Sequence, residues 1–289
     1  MSAPSHTSRA AWEPVTPRGV AAFAGDSLGR LLAAQFIVTL LVAATVVWFL
    51  RTAWFPVARA AIEALPEQGA LSKGQLDWDN EPSVQLAENH FLGIAVDLHH
   101  SGRLGRAAHL QVEFGREDFR VYSLPGYEVF DYPPDWDISF NRPKLEPWWG
   151  AWQPWIEVGA AACTVLGLMT LWQMLATLYF IPVRVIGFLE DRELNWGQSW
   201  RLSGAALMPG ALFFAAGIVS YGMKALDLIE LGAICGLQFL IGWIYLLVSP
   251  LFRPRTSAAA KLAKNNPFAT PKEPGSESAA KNPTARPPG

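Results

Sequence analysis

The sequence predicts a membrane α-helical protein. Four transmembrane helices are expected, with a small, mainly antiparallel β (α+β) extracytoplasmic domain inserted between helices 1 and 2. Three observations carry this. Leu31–Leu50, Val158–Val183, Leu202–Met223 and Leu231–Phe252 contain no charged residue and are 20, 26, 22 and 22 residues long. A bilayer core about 30 Å thick needs about 20 helical residues. Between the first two runs, short Val-, Ile-, Phe- and Tyr-rich segments alternate with turn signals. Finally, Lys and Arg concentrate in the segments that four crossings place on one side.

Only 17% of the 289 residues are charged, against about 25% in ordinary soluble domains. The deficit lies in the four runs. In lipid each backbone N–H and C=O must be paired within the segment, so the runs should be helices. The net charge of −2 divides unevenly: residues 51–154 carry 9 Lys/Arg and 15 Asp/Glu, and the tail 253–289 carries 7 and 2. Without general basic character, nucleic acid is excluded as an expected partner. Cys163 and Cys235 both fall inside apolar runs, so no disulfide framework is read in the insert.

Taken in order, residues 1–30 form a cytoplasmic arm. Its segment 19–29, with Val20, Phe23 and Leu28, reads as an amphipathic lead-in lying on the membrane surface. Transmembrane helix 1 is 31–50. The triplet Ala58-Arg59-Ala60 resembles a signal cleavage site, but 30 residues precede a 20-residue run, so an uncleaved anchor is expected. The insert is 51–154. Within it, 56–65 continues the first helix and stops at Pro66. Segments 83–87, 91–98, 108–114, 118–123 and 127–132 are expected strands. Pro133-Pro134 opens a stretch expected to be irregular up to Trp155.

Transmembrane helices 2, 3 and 4 are 155–183, 202–223 and 231–252, and the basic tail 253–289 is expected to be disordered. Trp148, Trp149, Trp152 and Trp155 are expected at the outer membrane interface, and Trp196 and Trp200 at the inner one. Gly159 and Gly167, Gly210 after Pro209, and Gly232 and Gly236 are expected to let helix backbones approach closely, with a kink at Pro209-Gly210. Three Arg in the N-terminal arm, three in 184–201 and seven Lys/Arg in the tail face Lys224 in the 224–230 turn. This puts both termini in the cytoplasm and 51–154 outside a bacterial inner membrane.

Candidate sites are few. His90, His99, His100 and His109, with Glu88 and Asp97 nearby, would be the donors for a metal, but their spacing matches no ligand motif and no metal is assigned. Asp77, Asp79, Glu81 and Glu88 echo an EF-hand, yet Pro82 stands where Gly is needed, so an exposed acidic loop is expected. The aromatic and acidic segment 127–137 reads as a linker along the membrane surface. Gln35, Gln173 and Gln238 are the strongest polar groups in the spans and suit interhelical hydrogen bonds. No catalytic residue or cofactor is read.

Leu65-Pro66, Leu71-Ser72-Lys73-Gly74, the stretch from Phe91 to Asp97, and Trp196-Gly197-Gln198-Ser199-Trp200-Arg201-Leu202 with Pro209 beyond it form a pattern. Over about 19–252 it resembles bacterial integral-membrane proteins of the broad YIP-like group. The resemblance implies the topology above and no catalytic residues. The expected role is a non-enzymatic inner-membrane protein displaying an interaction domain, an envelope scaffold or sensor. Its partners are the lipid bilayer and a protein or envelope component. The alternative is a small-molecule or lipid transport or membrane-trafficking-type protein that uses the helix bundle.

Overall fold

A computed structural model describes residues 15–105 and 107–256. The expectations for the arm before residue 15 and the tail beyond 256 lie outside the described residues. Helices dominate, two sheets lie between the first and second long helices, and four helices are long and apolar enough to cross a membrane.

Helix α1 (Pro17–Phe23) starts at Thr16, whose hydroxyl accepts from the Gly19 N–H, with Pro17 at its first position. It departs from expectation. Val20, Phe23 and Ala24 are fully buried against Leu31 and Leu202 inside the bundle, rather than facing a bilayer surface. The Arg201 guanidinium donates to the Ala24 carbonyl at 2.8 Å and satisfies that helix end.

Helix α2 (Leu28–Phe49) runs through a π-helical turn (Leu50–Trp54) into α3 (Phe55–Glu63), 36 residues in all. Pro56 explains the turn. Its ring collides with the carbonyl four residues back, and one widened turn before it lets the helix continue. This is the expected extension beyond the first apolar run.

Strands β1 (Ala70–Ser72) and β2 (Gln75–Asp77) form a hairpin through Lys73 and Gly74, with φ of 52° and 75°. Two left-handed positions make the tight turn that matches strand twist, and glycine takes the second without strain. Strand β8 (Asp137–Ile138) pairs with β1, completing a three-stranded sheet. The second sheet has order β3-β4-β5-β6-β7: Ser83–Glu88, Leu92–Asp97, Leu110–Phe114, Asp118–Ser123 and Gly126–Asp131. All its pairs are antiparallel except β4–β5, which run parallel, Leu92 opposite Leu110 and Val96 opposite Phe114. A parallel pair needs a crossover, and of the residues that supply it, 98–105 and 107–109 are described and form a loop over one face of the sheet.

Helix α4 (Arg142–Leu189) is 48 residues long and contains Pro147, Pro154 and Pro182. The stretch up to Trp155 is therefore helical from Arg142, not irregular. Tertiary contacts override the prolines. Trp149 packs edge-on against Phe55, with ring centroids 5.4 Å apart. Gln153 accepts from Arg59 at 3.1 Å, and Glu157 pairs with Arg51. Residues 149, 153 and 157 share one helix face, as do 51, 55 and 59.

Helix α5 (Trp196–Ala206) opens with an Asn195–Gln198 capping box and stops at Leu207. Helix α6 (Met208–Gly222) restarts with Pro209 in its first turn. The expected kink is thus a break just before a residue with no N–H to continue the ladder. Helix α7 (Leu228–Val248) begins with an Asp227–Glu230 capping box and ends in a 3₁₀ turn (Ser249–Phe252). The α5–α6 segment is central: its most apolar window is 67% buried, against 6% for α4 and 11% for α7. At its centre Gln173 donates to Gln35 at 2.9 Å, and Gln35 donates to the Gly204 carbonyl at 3.1 Å. Gln238 stands apart and contacts the Cys235 sulfur at 3.7 Å.

Candidate binding site

Strands β5 and β6 meet at the tight turn around Gly115. Alternation puts Val112 and Phe114 on one face, and register sets Phe114 opposite Phe119. Phe119 stacks on Phe130 and Tyr132, at centroid distances of 5.0 and 6.0 Å. Leu71 and Ile138 of the small sheet lie across from them, and Leu145 and Trp148 of α4 close the end. These side chains, Phe130 apart, line an apolar cavity of about 660 Å³. Ligand sites of small molecules span about 300–1,000 Å³ and combine apolar walls with a few polar groups. Here those groups are Asp137, Ser139 and Lys144. Burial pushes the Tyr132 phenol well above its ordinary range, with Asp118 adding to the shift. It therefore keeps its proton and donates to the Gly115 carbonyl at 3.1 Å.

The opposite face of β5 carries Gln111 and Glu113, which are 1% and 2% exposed. Alternation alone would leave them in water. The 98–109 crossover covers them instead. His100, held at φ 48°, inserts its ring between two carboxylates, with Nδ1 2.6 Å from Glu113 Oε1 and Nε2 bonded to Asp118 Oδ1. Each ring nitrogen thus has a carboxyl oxygen within hydrogen-bond reach, and the ring bridges the two strands. Gly115 makes room, since a Cβ there would fall 2.2 Å from His100 Nε2. Asp97 anchors the start of the loop. Burial works to raise its carboxyl, but hydrogen bonds from Ser101, Ser83 and the His99 N–H outweigh burial and hold it below the ordinary 3.8.

The four histidines are thus not one cluster. His99 is exposed. His90 and His109 meet at the junction between sheet and helices, with ring centroids 4.2 Å apart. His109 Nδ1 lies 2.8 Å from the Tyr221 hydroxyl near the end of α6, and Phe91 packs edge-on against Tyr221 at 5.0 Å. Asn89 fastens the same corner by donating to the Ala53 carbonyl at 2.6 Å. Burial first, then the neighbouring His90 charge, lowers the His109 pKa from 6.5, while Asp227 opposes them. Folding therefore favours the neutral ring. The stability this contributes is complete above pH 6.5 and is lost as pH falls through the lower folded value. Hydrogen-exchange protection around Tyr221, taken relative to the intrinsic rate at each pH, is expected to fall on acidification below 6.5, and His109→Gln is expected to flatten that dependence. An unchanged profile in the variant would refute it.

The acidic loop is solvated: Asp77, Asp79, Glu81 and Glu88 are exposed. Of the tryptophans, Trp148, Trp152, Trp155 and Trp196 are exposed, whereas Trp149 and Trp200 are partly covered by Phe55 and by the Thr177 hydroxyl. Gly210 approaches α7 closely, as expected of a packing glycine: a Cβ there would lie 2.4 Å from the Gln238 carbonyl oxygen. Gly159, Gly167, Gly232 and Gly236 face open space within the chain, so the close approaches expected of them do not occur among the described residues. Gly204 and Gly217 pack tightly instead, against Gln35 and Ile234. No family model, curated protein or solved structure matches the chain, so the likeness to YIP-like proteins carries no further argument.

Proposed function

We propose that the protein is a non-enzymatic, multi-pass bacterial inner-membrane protein that displays a binding domain outside the cytoplasm. The observation that carries this reading is the apolar cavity between the two sheets and the head of α4. Apolar walls enclosing a space of this size suit a ligand that makes dispersion contacts with them. The distribution of Lys and Arg supports both termini inside. The clustered ionisable groups of the sheet domain are engaged with one another in the His100–Glu113–Asp118 pairings, which suits a structural role more than acid–base chemistry. The Gln35–Gln173 bond, whose Gln35 is fully buried, likewise supports a sealed bundle over a transport path.

Two measurements test this. In a chain with Cys163 and Cys235 replaced, Lys73→Cys and Ser101→Cys are expected to react with a membrane-impermeant maleimide from outside. Reaction only after lysis would reverse the topology. In nanodiscs, 1-aminoanthracene is expected to show one saturable site per chain above the empty-disc baseline, and Val112→Trp is expected to remove it. A signal indistinguishable from empty discs would defeat the binding-domain reading.

A further inference from the structure

We infer that the cavity's ligand is a phospholipid of the surrounding bilayer, one acyl chain of which reaches the pocket along a tryptophan stripe on α4. This rests on the membrane and binding-domain reading above and names the ligand class for that site. Leu145 and Trp148 line the cavity. From there Trp152 and Trp155 continue at helical spacing down one face of α4. Trp148, Trp152 and Trp155 are 49%, 51% and 68% exposed, and the first two rings stack at 6.3 Å. Immediately below begins the charge-free run at Val158, itself 61% exposed.

Leu145 stands about 20 Å along the helix from Val158, beyond the 5–8 Å or so of headgroup layer on each side of a bilayer. A chain leaving the bilayer would meet water over that distance without apolar cover, and the stripe supplies it. The face of α4 that packs on α2 and α3, through Trp149, Gln153 and Glu157, is a different one, so the stripe stays unpartnered. Exposed apolar surface that runs unbroken from a membrane segment to a cavity marks a route for an apolar ligand.

The rim supplies headgroup recognition. Lys144 and Asp137 both line the cavity, both are exposed, and neither belongs to an ion pair among the described residues. One cation and one anion at a single mouth complement a zwitterionic headgroup, its phosphate toward Lys144 and its ammonium toward Asp137. A phosphatidylethanolamine-type lipid carries that pair, and a singly anionic phosphatidylglycerol-type lipid leaves Asp137 opposed.

The test uses the full chain in nanodiscs doped with lipids bearing a photoactivatable acyl chain, followed by peptide mapping. Phosphatidylethanolamine is expected to label β5, β6 and β8 as well as the spans. Val112→Trp fills the cavity, and Ile138→Trp does so from an exposed edge strand where folding is least at risk. Each displaces at least two methylenes' worth of contact at about fourfold apiece. Sheet labelling should therefore fall more than tenfold or so while span labelling holds. Trp148→Ser, on the surface, should lower sheet labelling without altering unfolding temperature. Asp137→Asn should abolish the preference for phosphatidylethanolamine over phosphatidylglycerol. Labels confined to the spans, or sheet labelling indifferent to the two filling variants, would overturn the lipid assignment. Equal labelling by both headgroups in the parent chain would overturn the headgroup assignment. If 1-aminoanthracene still binds at one site while no lipid labels the sheets, this inference fails and the binding-domain reading survives. If neither enters the cavity, both fail.

Discussion

Replacing His100 with alanine is expected to destabilise the sheet domain by about 3 kcal/mol. The Glu113 side chain is 2% exposed and the His100 ring is its hydrogen-bond partner at 2.6 Å. Removing one member of a buried pair leaves the other charge in a poorly solvated place, and such losses run to about 3–5 kcal/mol. The lower end applies because Asp118 is 18% exposed and keeps Arg120 at 3.4 Å. Tyr122, 3.5 Å from Glu113, is too distant to replace a charge-assisted bond. The loop would also lose the ring that holds it against β5. Adding Glu113→Gln to His100→Ala should recover a large part of the loss, since the stranded charge is then gone. Thermal unfolding of the full chain and hydrogen exchange at β5 and β6 read the effect. A loss under about 0.5 kcal/mol, the scale of ordinary surface changes, would mean that the pairing does not hold the loop. Equal losses in the single and double variants would mean that the stranded charge is not the cause.

That site was hidden in the sequence for a physical reason. Residues 110–114 alternate visibly, and the rule that polar residues on a strand face water would put Gln111 and Glu113 outward. What covers them is a loop with no periodicity, and His100 reaches its partners 13 and 18 positions away only through a left-handed backbone. The cavity was hidden too, because its walls come from residues near 71, 112–119 and 138–148, and periodicity reports only the face, never what stands opposite. By contrast β3 to β7 were legible within a residue or two, since each has alternating or β-branched residues bounded by turn residues. Strands β1, β2 and β8 have three residues or fewer, too short to show a period. Helix α1 shows the limit of amphipathicity. An apolar face is the same signal whether it meets lipid or protein, and Phe23 meets protein. The head of α4 is helical despite Pro147 and Pro154, which are local signals against a helix. The Phe55, Arg59 and Arg51 contacts that outweigh them lie about a hundred residues away.

Glycine spacing in the bundle leads to the second large effect, Gly210→Leu. Spacing of four identifies a face, and helix rotation decides what that face meets. At Gly210 it meets backbone: a Cβ would stand 2.4 Å from the Gln238 carbonyl oxygen and 3.2 Å from its carbon. A flexible side chain would swing away, but a helix carbonyl is fixed by its own ladder, so α6 and α7 would have to separate. Helix α6 lies at the centre of the bundle, with Met208 and Ala211 buried on either side, so the separation propagates into the main core. Overpacking a tight core costs about 1–3 kcal/mol, and a clash against backbone belongs at or above the top of that range. In a lipid setting the loss is sharper in kind, because close backbone packing rather than hydrophobic exclusion holds such helices together. The comparison is Gly236→Leu, on α7 near Gln238, where a Cβ meets nothing within 4 Å and a change within about 0.5 kcal/mol is expected. Thermal unfolding in one detergent, with the monodisperse fraction after purification, measures both. Equal tolerance of the two substitutions would refute the close approach at Gly210. Equal damage would mean that the open face of α7 is covered by something beyond a single chain.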